Sequence, residues 1–114
     1  MTFEELDEYE RDLKKLLKRF RTLESDIAIV KQVLEVEPKE RSPFSYRIDG
    51  LGLKTCMIKV KKMACRSMKG KGANSGLRLV YAHFEEDEKI ILVEIYFKGD
   101  KEKEDRDRIL KHFN

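Results

Sequence analysis

The chain has 114 residues, 41% charged and 40% hydrophobic, with a mean hydropathy of −0.62. That is the length of one ordinary domain with a thin core. It excludes two domains, and no apolar run approaches the roughly 20 residues of a membrane span. The net charge of +3 conceals a block at residues 41–84 with ten bases against one acid, Asp49, which points to a polyanionic partner.

Residues 1–10 carry five acids and no base, unlike a secretory leader, so the expected setting is cytoplasmic with no membrane partner. Residues 1–3 are a candidate short strand. Leu6, Tyr9, Leu13, Leu16, Leu17 and Phe20 recur at three- and four-residue steps, which predicts an amphipathic helix over residues 4–20. Thr22 is the expected N-cap of a second helix carrying Leu23, Ile27, Val30, Val33 and Leu34. The short connection implies an antiparallel helical hairpin. Residues 37–53 hold Pro38, Pro43, Gly50 and Gly52 and read as a long loop.

From Cys56 the period changes to two, with Ile58 and Val60 alternating with Lys59 and Lys61. Residues 65–76 form a basic, glycine-punctuated stretch expected to be a flexible hairpin loop. Residues 77–84 read as a second strand, Glu85 to Glu88 as an acidic turn, and residues 89–97 as a third strand. The third is apolar on both faces and is the expected central strand. Asp100 is the expected cap of a last helix holding Ile109, Leu110 and Phe113. Helices followed by consecutive strands predict one α+β domain over residues 1–114. In it the N-terminal hairpin packs on one face of a small, twisted, mainly antiparallel sheet, with a short C-terminal helix.

The expected chemistry lies on the other sheet face. Lys59, Lys61 and Arg78 point there by alternation, and Lys62, Arg66, Lys69 and Lys71 lie beside them. Such a concave basic surface suits a phosphodiester backbone, with Tyr81 and Tyr96 as candidate stacking rings or hydroxyl donors. Cys56 and Cys65 are expected as reduced thiols in or near the core. Neither they nor His83 and His112 make a zinc spacing, so no metal or cofactor is expected. The glycines after Lys69 lack the Gly-Lys-Ser/Thr ending of a phosphate loop, and a strand rather than a helix follows them. RNA can be cut without metal when its own 2′-hydroxyl attacks the adjacent phosphate. This needs a base, cations for the developing charge, and an acid for the leaving oxygen. Lys59, Lys61 and Arg78 are the candidates; a purely electrostatic binding face is the alternative.

The chain resembles the RelE/ParE toxin superfamily of type II toxin–antitoxin systems over nearly its whole length. The likeness rests on Tyr9-Glu-Arg-Asp-Leu-Lys-Lys-Leu16, Met57-Ile-Lys-Val-Lys61, Gly76-Leu-Arg-Leu-Val-Tyr81 and Ile91-Leu-Val-Glu-Ile95. The resemblance implies a curved antiparallel sheet and an antitoxin partner that wraps the toxin. It also implies either ribosome-dependent mRNA cleavage, as in RelE-type members, or gyrase poisoning, as in ParE-type members. Lys59 and Lys61 fall where RelE-type toxins carry a base and a phosphate contact, and Arg78 falls on their charge-stabilising arginine. Where such toxins carry a second arginine after the last strand, this chain offers Lys98, Lys101 or Arg106, and no tyrosine follows Tyr96. A member without catalytic activity that only holds RNA or its antitoxin is the remaining expectation.

Overall fold

The computed structural model describes residues 1–114 and contains three helices and one five-stranded sheet. In chain order the elements are β1 (Thr2–Glu5), α1 (Asp7–Leu17), α2 (Leu23–Val36), β2 (Ser45–Arg47), β3 (Cys56–Val60), β4 (Leu77–Phe84), β5 (Lys89–Phe97) and α3 (Arg106–Phe113). The strand order is β1-β5-β4-β3-β2; β1 runs parallel to β5 and every other pair is antiparallel. No helix is long and apolar enough to cross a membrane.

Two strands extend the predicted three-strand meander at its edges. β1 pairs Thr2 to Glu5 with Lys89 to Leu92, so the first helix begins at Asp7 rather than at residue 4. β2 lies inside the long loop and pairs Tyr46 with Lys59. Both edge strands are too short for a periodicity to show.

The sheet is covered on both faces. Towards α1 and α2 it presents Ile58, Val60, Leu77, Leu79, Tyr81, Ile90, Leu92 and Ile95, packed on Tyr9, Leu16, Leu23, Ile27, Val30 and Leu34. Towards α3 it presents Met57, Val80, Ala82, Val93 and Tyr96, packed on Ile109. Strict alternation cannot give this division. Val80 pairs with Glu94 but Tyr81 pairs with Leu92, so Val93 is an extra residue in β5. This bulge lets Leu92 and Ile95 share the α1/α2 face while Val93 and Glu94 both turn towards α3.

α3 departs from the expectation of an uncovered second face. Its cap is Asp105, whose carboxylate accepts from the Arg108 amide at 3.0 Å, and not Asp100. Arg108 reaches across to α1, donating to Asp12 at 2.7 and 3.3 Å and to the Val93 carbonyl at 2.8 Å. His112 meets Glu8 of α1 at 2.7 Å. Thr22 is the N-cap residue of α2, as expected, but its side chain makes no capping bond; its hydroxyl donates to Asp26 instead.

The stretch expected to be a flexible hairpin loop is pinned. Met63 and Cys65 are buried, and the Ser75 hydroxyl donates to the Met63 carbonyl at 2.7 Å. The buried Asp26 carboxylate takes the Arg66 amide and the Arg66 Nε, both at 3.2 Å. Cys56 and Cys65 are free thiols.

Tyr81 is fully buried in the core, and its hydroxyl donates to the Pro38 carbonyl at 2.6 Å, tying the loop after α2 to β4. Tyr81→Phe therefore lowers stability by about 1 kcal/mol in urea denaturation, the net value of one such hydrogen bond.

Candidate functional site

The charged residues of the α3 face divide into a neutralised half and an open end. Lys59 lies in the neutralised half. Its ammonium donates to Glu104 at 2.6 Å, and Arg106 Nε donates to the same carboxylate at 2.9 Å. The Glu104 side chain is only 3% exposed and that of Lys59 16%, so this is an internal ion pair beside the start of α3. Burial pushes the Glu104 carboxyl up, but the hydrogen bonds from Lys59 and Arg106 outweigh it and hold the group at about 2. Next to it, buried Glu94 accepts from the Asp105 amide at 2.8 Å and pairs with Lys101.

The open end begins where β3 and β5 run past this pair. A cavity of about 330 Å³ is lined there by Pro43, Tyr46, Lys61, Lys62, Asn74, Gly76, Arg78 and Lys98. Four cations and no acid line it, whereas carboxylates line the cavities between α1 and β5 and between α1 and α2.

Each side chain is placed by an extension of the ladder. Lys61 follows Val60, the last residue of β3, and its amide donates to the Phe44 carbonyl at 2.9 Å. Lys98 follows β5, with its amide on the Gly76 carbonyl at 2.8 Å. Gly76 has φ +86°, and a Cβ there would stand 3.1 Å from the Phe97 ring, so the turn into β4 needs glycine. Arg78 Nη1 donates to the Lys61 carbonyl at 3.1 Å and to the Leu77 carbonyl at 3.3 Å. Those bonds occupy one nitrogen of the guanidinium and leave Nε and Nη2 without a protein acceptor. Lys62 Nζ donates to Asn74 Oδ1 at 2.9 Å, and Lys61 Nζ sits 5.0 Å from the centre of the Tyr46 ring.

Of the residues singled out in the sequence, Lys61, Lys62, Arg78 and Lys98 meet in this cavity. Lys59 does not reach it, being held by Glu104. Arg66 is turned to Ser25 and Asp26 at the start of α2. Lys69 and Lys71 are exposed on the loop outside the cavity lining. Tyr81 offers no ring to a base, because the core encloses it on the α1/α2 face. Tyr96 is 5% exposed beneath Lys101, and burial pushes its hydroxyl up to about 12. Tyr46 was not singled out. Its signal lay in an aromatic between Pro43 and the basic strand, inside a stretch too short to read as β-structure.

No protein-family model and no curated protein matches the chain by sequence. Two solved structures match by shape. The archaeal RelE–RelB complex of Pyrococcus horikoshii contains a chain with a TM-score of 0.57 at 16% identity, covering 86% of this chain and 94% of that one. The chain has a RelE-like fold. The conserved hypothetical protein HP0892 of Helicobacter pylori gives a TM-score of 0.52 at 20% identity, covering 88% and 97%. At these identities the RelE-like likeness is one of fold, and the site must be argued from its own residues.

The Glu104 pair has a stability signature. Its folded pKa lies near 2, below the usual 4.5, so its contribution is complete above about 4.5 and is lost as pH falls from 4.5 to 2. Glu104→Gln flattens the acid side of the stability curve in that window, read by denaturant midpoints at successive pH values. Some slope remains, because Glu8 is also held at about 2, chiefly by its His112 hydrogen bond. Glu104→Ala lowers stability at neutral pH by about 3 kcal/mol, since it strands the Lys59 ammonium.

Proposed function

We propose that this chain is the toxin component of a type II toxin–antitoxin pair and that it cuts mRNA on the ribosome, with the scissile phosphate in the Lys61–Arg78–Lys98 cavity. The observation that carries this reading is the meeting of four cations in an acid-free cavity on a RelE-like sheet. The implied protein partner is an antitoxin, in keeping with the RelE–RelB assembly of the archaeal neighbour.

In the proposed reaction the 2′-oxygen forms a bond to phosphorus and the bond to the 5′-oxygen breaks, leaving a cyclic phosphate and a 5′-hydroxyl. One proton leaves the attacking hydroxyl and one reaches the departing oxygen. Arg78 suits the developing charge on the phosphate, because its guanidinium is already oriented by two carbonyls and keeps two nitrogens for oxygen acceptors. Lys98 and Lys61 add charge on either side. A lysine of the cavity is the proposed proton acceptor in its neutral form, and a second lysine the donor.

One observation favours a second reading, in which the cavity holds RNA or an antitoxin without cutting. Lys59, the lysine expected as base, is bound to Glu104. The two readings separate on expression in bacteria. Cutting predicts growth arrest with fragmented mRNA, relieved by Arg78→Ala at unchanged protein level. Holding predicts normal growth and intact mRNA, with purified protein still binding RNA. In both, Arg78→Ala lowers RNA affinity at least about tenfold and reduces the slope of log affinity against log salt by about one. Soluble protein that neither arrests growth nor binds RNA rejects the assignment.

A further inference from the structure

The phenylalanine and tyrosine side chains are buried or half-buried with one exception. Of six phenylalanines and four tyrosines, only Tyr46 is exposed, at 39%. Tyr9 and Tyr81 are fully buried, and Tyr96 is covered by Lys101. The exposed ring stands on the lining of the acid-free cavity, which Pro43 and Arg78 also line. The Lys61 ammonium lies 5.0 Å from its centre, and its hydroxyl has only a long 3.4 Å contact with Ser42. Nothing in the core accounts for a large ring left in water at this place. An aromatic face beside a track of cations is the arrangement by which proteins grip single-stranded nucleic acid: cations hold the backbone and the ring stacks a base.

We propose that Tyr46 is a stacking platform for a nucleobase, so that the cavity takes single-stranded RNA with one unpaired base on Tyr46 and the neighbouring phosphate on Lys61 and Arg78. The inference rests on the reading of the cavity as an RNA site and narrows it. In a duplex the bases stack on each other and their faces are closed to a side chain, so the ring selects single strands. Stacking itself does not depend on the identity of the base, because every base has a π-face.

The chain has no tryptophan, so Tyr46→Trp places a single reporter at the platform. The probes are a short single-stranded oligoadenylate, a duplex RNA of equal length, and inorganic polyphosphate, which has charge but no bases. The expected result is quenching of the Trp emission by the oligoadenylate and little change with duplex or polyphosphate. Tyr46→Leu should weaken oligoadenylate binding about tenfold, the loss of one stacked base, while Tyr46→Phe stays within about twofold. Tyr46→Leu should leave polyphosphate binding and the salt slope unchanged, since it removes no charge. Equal weakening towards oligoadenylate and polyphosphate overturns the proposal, because the ring would then serve only to position Lys61. Unchanged affinity for both also overturns it, and each of these results leaves the RNA site standing. Failure of the wild type to bind either polyanion removes the RNA site and the platform together.

Discussion

The ion pair between Lys59 and Glu104 decides how much of the positive charge on the sheet reaches solvent. A carboxylate taken out of water is destabilised unless hydrogen bonds replace its hydration, and here Lys59 and Arg106 supply them. Glu94, two strands across on β5, is satisfied by Lys101 and the Asp105 amide. These two buried acids bind the segment between β5 and α3 to the sheet and close the basic face over Lys59. Past them no acid follows, so Lys61, Arg78 and Lys98 keep their charge free. The cavity is therefore bounded by chemistry on one side and by the ends of the strands on the other.

The bulge in β5 makes that boundary possible. Without the extra residue at Val93, alternation would set Glu94 on the same face as Leu92, among the apolar side chains that pack on α1 and α2. With it, Glu94 faces α3 and Val93 gives its carbonyl to Arg108. Arg108 also binds Asp12 of α1, so one irregularity positions the acid, the helix and the clamp between helix and sheet.

The larger divisions of the fold were legible because hydrophobic spacing records them directly. The three long strands, the two N-terminal helices and the last helix each carry an apolar pattern of several residues. Of the edge strands, β1 was expected only as a candidate over residues 1–3 and β2 was read as loop, since three or four residues cannot establish a period and their pairing is set by tertiary contact. The site was legible in part. Lys61 and Arg78 follow from strand parity, and Lys98 from its place after the last strand. Lys59 shares that parity, yet its partner sits in the run of residues 101–107, where Glu104 looks like any solvated acid. Tyr81 was misread because residues in β4 alternate faces, and the sequence does not say which face the helices take. Arg66 was misread because Asp26, the acid that captures it, lies forty residues away.

Cutting and holding differ by one requirement, a proton acceptor. If Lys59 is to act, the Glu104 carboxylate must leave it, and that breaks the contact with Arg106 as well. If Glu104 stays, the acceptor must come from Lys61, Lys62 or Lys98, which already line the cavity. Neither route disturbs Arg78. Its two protein acceptors are main-chain carbonyls of Lys61 and Leu77, at the end of the β3–β4 ladder, and they stay in place whichever lysine carries the proton. The lysines are flexible point charges on long stems, while Arg78 is a planar fork with its direction fixed. Arg78 is thus the element around which a phosphate would be oriented, and the lysines adjust to it.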